Sequence, residues 1–218
     1  MIKVENINKT FGLNHVLKNI SFEIHESEIV AIQGRSGAGK TTLLKIVGLI
    51  DKPDTGNIIF DNVILDNLNE SKKSEFRNQK VGFVFQFHNL LPEFNCLENI
   101  CLPYLIGNYN FSKAKLRAER VMHDLNIDNL KNKMPNEVSG GEQQRVAIAR
   151  SLINSPKLVL ADEPTGNLDS KNSVEMFNLF KMISQKYNTT FMIITHDNEL
   201  ASKCDRSIKI HDGYIINL

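Results

Sequence analysis

Near the start of the chain, Ile20-Ser21-Phe22-Glu23-Ile24 alternates apolar and polar residues, the two-residue period of a half-buried antiparallel strand. Glu28 to Gln33 is more continuously apolar, which suits a parallel strand buried on both faces. A helix-forming segment follows from Lys40 to Ile50 and stops at Asp51-Lys52-Pro53-Asp54-Thr55-Gly56, a cluster of turn formers. Gly56 to Phe60, Lys80 to Phe85, Lys157 to Ala161 and Phe191 to Thr195 predict further strands. Within 170–187, Val174, Phe177, Phe180, Ile183 and Tyr187 recur at helical spacing. Strand, helix and strand in that order imply a right-handed crossover and a parallel sheet. Ser207 to Ile216 closes the chain as a hairpin around Asp212-Gly213.

From His88 to about Val138 the texture changes. No strand period survives, and residues 112–121 form a charged amphipathic helix whose basic side chains are a solvated face. The expected organisation is one α/β domain with residues 1–87 and 139–218 as its core and a helical lobe, 88–138, inserted between them.

The chemistry enters where the buried strand at 28–33 meets the first helix. Gly34-Arg35-Ser36-Gly37-Ala38-Gly39-Lys40-Thr41 is a G-x-x-x-x-G-K-[ST] phosphate loop in its strand–loop–helix setting. Its glycines admit backbone turns that a Cβ forbids and let N–H groups close around phosphate oxygens. The start of the following helix adds partial positive charge. Lys40 is expected to reach the β- and γ-phosphates and Thr41 to ligate Mg²⁺, with Gly34 to Thr42 cradling a nucleoside triphosphate. Leu158-Val159-Leu160-Ala161-Asp162-Glu163 is an apolar strand ending in two carboxylates. At the carboxyl edge of a parallel sheet, Asp162 is placed to hold the metal and Glu163 to polarise the attacking water. Ser139-Gly140-Gly141-Glu142 reads as a helix start with a capping box, and its two glycines leave a second bare helix end for an anion.

Composition narrows the picture. With 218 residues and a net charge of +1, the chain has ample material for a core and no electrostatic case for nucleic acid. Cys96, Cys101 and Cys204 form no C-x-x-C pair and read as reduced, mostly buried thiols. The charged start lacks a signal-peptide core, and no apolar run approaches the roughly 20 residues that span a bilayer. Work at a membrane would therefore go through partners.

Ser139-Gly140-Gly141-Glu142-Gln143 resembles the signature motif of ABC-transporter ATPases, and the resemblance covers the whole chain with the motifs in the family's order. It implies a P-loop NTPase fold with a RecA-like parallel-sheet core, an N-terminal antiparallel β part and a helical lobe. It further implies that Ser139, Gly140, Gly141 and Glu142 cap an ATP held by a second copy of the chain. Gln86 in Phe85-Gln86 is similar to the Q-loop, which contacts metal and the membrane partner. Gly166-Asn167-Leu168-Asp169 is similar to the D-loop. His196 in Thr195-His196-Asp197 is similar to the switch histidine that senses the γ-phosphate. Phe11 stands where the family usually stacks adenine on a tyrosine; a phenyl ring keeps the π-face. His15, His25, His88, His123 and His211 have no such context and are expected to be surface or structural.

Gln86 to Ile100, with Leu102-Pro103-Tyr104-Leu105-Ile106-Gly107, resembles the ATPases of lipoprotein-releasing systems, and 163–169 points to the wider group that also holds MacB-like exporters and FtsE-like regulators of cell division. That resemblance implies two integral membrane permease subunits as partners and a peripheral place on the cytoplasmic face of the bacterial inner membrane. It also implies no direct contact with the lipoprotein. The coupling surface is expected around Gln86 to Ile100, where Leu90, Leu91 and Phe94 are either lobe core or partner contacts; exposure would favour contact. An export ATPase and a regulatory ATPase are the alternatives. A chromosome or repair ATPase would need a long coiled coil that this lobe has no room for, and a switch GTPase has no place for the signature.

Overall fold

The computed structural model describes residues 1–108, 110–166 and 170–217, and the backbone alone at 170–172 and 217. Two sheets organise it. One is six-stranded, in the order β10 (Tyr214–Asn217), β9 (Arg206–His211), β3 (Ile29–Gln33), β8 (Thr190–Ile194), β7 (Leu158–Asp162) and β6 (Val81–Phe85). All its strands except β10 run parallel. The other is four-stranded and antiparallel: β2 (Asn14–Ile24), β1 (Ile2–Phe11), β4 (Thr55–Phe60) and β5 (Val63–Ile64).

The continuous apolar runs of the central strands have a direct cause, because successive side chains enter two different cores. Val30, Ile32, Leu158, Leu160, Met192 and Ile194 join the antiparallel sheet and helix α1 (Lys40–Val47) in one buried cluster. Ile29, Val159, Ala161, Phe191 and Ile193 face the other way. There they meet α3 (Cys96–Asn108), α4 (Phe111–Asp124), α5 (Gly140–Leu152) and α6 (Ser170–Tyr187). In β2 the alternation is one-sided: Ile20, Phe22 and Ile24 are buried while Ser21 and Glu23 are exposed.

Three features depart from the pattern or escape it. The first helix ends at Val47, short of Ile50, because the backbone leaves helical geometry at Gly48 (φ −81°, ψ 4°) and Leu49 turns left-handed (φ 57°). Strand β1 is not evident from periodicity: its register against β2 shifts between Val4 and Ile7, where Asn6 has φ 51°. Helix α2 (Glu70–Lys80) buries only Lys73 and carries no apolar stripe; Asn69 caps it by accepting from the Lys72 N–H. The closing hairpin matches its chemistry, with Asp212 and Gly213 both at positive φ (47° and 82°). Cys96 and Cys101 are buried, and all three cysteines are free. Among the described residues no helix is long and apolar enough to cross a membrane.

Phe180 on α6 is fully buried, its ring 5.2 Å from that of Phe191 on β8. Phe180→Ala should destabilise the chain by about 3–5 kcal/mol in chemical denaturation. A loss below about 1 kcal/mol would mean that helix α6 is not seated on the sheet as described.

Candidate functional site

The parallel strands deliver the chemistry to their carboxyl edge, where loops leave the sheet. The loop after β3 ends at Gly39, whose left-handed backbone (φ 98°) caps α1 without any side-chain hydrogen bond. The first turn of that helix carries no acidic residue. Its N–H groups and partial positive charge are therefore left for an anion. Gly34 is needed for space, since a Cβ there would sit 2.4 Å from the Ile210 carbonyl oxygen. The Lys40 ammonium is held over the loop, donating to the carbonyls of Gly34 at 2.8 Å and Arg35 at 3.0 Å.

Opposite stand the carboxylates. The Thr41 hydroxyl donates to Asp162 Oδ2 at 3.1 Å, bringing two hard oxygens together. Burial raises the Asp162 carboxyl above its ordinary range; the Thr41 hydroxyl opposes the rise, and the neighbouring Glu163 charge adds to it. Glu163 holds a left-handed backbone (φ 48°) that few non-glycine residues adopt. Its Oε2 lies 2.9 Å from His196 Nδ1. Around them lies a cleft of about 550 Å³, lined by Gly34, Ser36, Gly37, Gly39, Lys40, Thr41, Thr42, Asp162, Glu163 and His196, with Val16 and Ile194. Among the described residues no three His, Cys, Asp or Glu side chains group as a metal cage. A Thr–Asp oxygen pair instead fits Mg²⁺, which keeps several waters and takes other oxygens from phosphate.

The cleft thus gathers much of the predicted site. Arg35 is exposed beside it, and Ala38 turns into the core. Gln86 abuts the turn after β7: a Cβ on Gly166 would come within 3.0 Å of its Nε2. Phe11 does not line the cleft; its ring is half exposed, with Lys9 Nζ 5.0 Å from its centroid. Asp169 lies outside the described residues. Val16, which belongs to no motif, enters because β2 crosses the phosphate loop. A Cβ on Gly39 would lie 2.8 Å from its carbonyl oxygen.

Ser139 to Glu142 stand apart from the cleft. Ser139 caps α5, and Glu142 answers it, accepting from the Ser139 N–H at 2.8 Å and hydroxyl at 2.9 Å. The Ser139 backbone N–H is the main reason its carboxyl is held below its ordinary range. A Cβ on Gly140 or Gly141 would meet nothing within 4 Å, so this helix end faces open space. None of the four residues lines the cleft.

A larger recess of about 720 Å³ opens beside the stretch after Gln86, with apolar walls from Ile50, Val81, Phe83, Phe85, Pro103 and Ile106. It adjoins residues 86–100 without being lined by them. In that stretch Leu90 packs against the core, whereas Phe87, Leu91 and Phe94 are exposed.

The family model described as ABC transporter matches residues 17–166. A lipoprotein-releasing system ATP-binding protein LolD from Cytophaga hutchinsonii is 49% identical over 216 residues, 99% of each chain. One from Bacteroides fragilis is also 49% identical, covering 99% of this chain and 100% of that protein. Among solved structures, a dimeric post-hydrolysis state of the ATP-binding cassette MJ0796 bound to ADP and Pi superposes with a TM-score of 0.90 at 37% identity, covering 100% of this chain and 97% of that one. The cbiO1 subunit of a Clostridium perfringens ABC transporter complex superposes with a TM-score of 0.91 at 30% identity, covering 99% and 86%.

The raised carboxyl of Asp162 carries a sign. A buried acid whose folded pKa lies above its unfolded value favours folding when protonated, and that contribution is lost as pH rises through the folded pKa. Asp162→Asn keeps an acceptor for Thr41 and removes the charge. It should raise the melting temperature of the ligand-free chain at neutral pH by a few degrees, and the gain should vanish at acidic pH. A lower melting temperature at neutral pH would contradict this reading of the site.

Proposed function

The chain belongs to the ABC transporter family, and from that premise we propose that it is the ATP-hydrolysing subunit of a lipoprotein-releasing system of the inner membrane. The observation that carries the reading is likeness over nearly the whole length of both chains to LolD proteins, 49% in two of them. The cleft supports it with a bare helix end, a lysine and paired carboxylates on one edge.

In this reading the loop from Gly34 to Thr42 binds the ATP phosphates through its N–H groups, and Lys40 leaves the Gly34 and Arg35 carbonyls to reach the β- and γ-oxygens. Thr41 and Asp162, with Gln86 as a further ligand, would hold Mg²⁺, which would supply positive charge to the phosphate oxygens. Asp162 must give up any proton to do so. Glu163 takes the proton of the attacking water as its oxygen bonds to the γ-phosphorus and the bond to the β-phosphate oxygen breaks. His196 holds the Glu163 carboxylate and reads the γ-phosphate. Phe11 stacks on adenine.

The free end of α5 completes the site of a second copy. MJ0796 is dimeric with ADP and Pi bound. Two copies of this chain would close with Ser139, Gly140, Gly141 and Glu142 of each over the ATP of the other, and Asp169 at the seam. Residues 88–138 would act as the lobe on a core of 1–87 and 139–218. The apolar recess and the exposed Phe87, Leu91 and Phe94 would face two integral membrane permeases of the LolC/LolE kind. The chain itself would be peripheral on the cytoplasmic face and touch neither lipoprotein nor nucleic acid.

Glu163→Gln should stop turnover and trap an ATP-bound dimer in analytical ultracentrifugation; turnover near the natural rate would remove Glu163 as the base. Purified gently from native membranes, the tagged chain should bring two related permeases with large periplasmic domains. Recovery of a single exporter-type or division-type permease instead would refute lipoprotein release.

A further inference from the structure

Two and three residues beyond Gln86, the chain is fastened to the helix that begins at the signature. The guanidinium of Arg150 donates to the carbonyl of His88 at 2.7 Å and to that of Asn89 at 2.6 Å. Asn89 is left-handed (φ 49°), which lets adjacent carbonyls turn toward one fork. One residue past the signature's Glu142, Gln143 Oε1 lies 3.1 Å from His88 Nδ1, while its Nε2 donates to the Pro135 and Val138 carbonyls. The same loop is pinned farther on by Asn99, fully buried, which binds the Leu91 N–H and the carbonyls of Leu91, Phe94 and Asn95.

Arg150 is half-buried, and desolvation lowers its guanidinium pKa. What the planar fork adds is direction, since its N–H groups are fixed relative to one another whereas an ammonium's donors swing on a flexible stem. Arg150 also lines the apolar recess. One side chain therefore touches the recess, the loop that starts at Gln86, and the helix whose free end is the signature.

We propose that Arg150 is a positioning residue for Gln86, its guanidinium fixing the loop onto α5 so that the glutamine and the signature move as one body. The proposal rests on the role given to Gln86 above. Gln86 meets the Glu163–Gly166 turn at one end of this unit, and the recess lies at the other. The unit couples the two.

The test is a double-mutant cycle in the full chain, with Gln86→Ala, Arg150→Met and their combination, and Arg150→Lys as the conservative variant. A fluorescent ATP analogue counts binding-competent sites, so that kcat is expressed per folded site alongside KM for ATP. Arg150→Met should leave KM unchanged and lower kcat by about tenfold to a hundredfold, up to the scale of a group displaced by about 1 Å. Arg150→Lys should recover part of that loss, which keeps the test valid should methionine reduce folding. The double variant should be no slower than the slower single one. Losses that multiply, or a natural kcat per site in both Arg150 variants, would overturn the proposal while leaving the Gln86 role intact. A natural kcat in Gln86→Ala would overturn that role and the proposal with it.

Discussion

The structure depends on one electrostatic opposition at the carboxyl edge of the parallel sheet. On one side are the bare N-terminus of α1 and the Lys40 ammonium; on the other are Asp162, Glu163 and, beside them, His196. The charges of the two sides do not pair directly with one another. Lys40 is parked on the carbonyls of its own loop, and Asp162 pairs with a neutral hydroxyl while burial disfavours its charge. Such an arrangement gains most from a polyanion and a divalent cation arriving together, because each neutralises what the other leaves.

The two cores explain why that edge is rigid. Leu43, Leu44, Ile46 and Val47 anchor α1 in one cluster, so the phosphate loop is fixed from below. Residues on the opposite face of the same strands anchor α3, α5 and α6. The signature end of α5 is thus firmly based yet open at its tip, where Gly140 and Gly141 have no neighbour within 4 Å of a would-be Cβ. In the proposed reading, this well-capped helix end, kept clear of its own cleft, is half of a site that a second copy completes.

Much of this was legible in the residues, and the gaps have physical causes. The parallel strands at 29–33, 158–162 and 190–194 were readable because residues buried on both faces leave an unbroken apolar run. The Ser139–Glu142 box and the Asp212-Gly213 turn were readable because their chemistry is local. Strand β1 was hidden by the slip at Asn6, and α2 by its lack of an apolar face. The phosphate loop, Asp162, Glu163 and His196 converge in one cleft, but Val16 could not be foreseen, since it arrives through a hairpin from another sheet. Nor could the apolar recess, which no motif marks. Its walls come from Ile50, β6 and the far half of α3, elements brought together only by the tertiary fold.

The most direct test of the half-site is complementation between two inactive chains. Lys40→Ala breaks the phosphate loop, and Gly140→Asp places a carboxylate at the signature. If each ATP lies between copies, a mixed dimer keeps one natural pair: the loop of the Gly140→Asp chain facing the signature of the Lys40→Ala chain. Mixing the two dead variants should then restore ATP hydrolysis, greatest near equal amounts. No recovery at any ratio, with both variants folded and dimerising, would place the whole site within one chain and contradict the account.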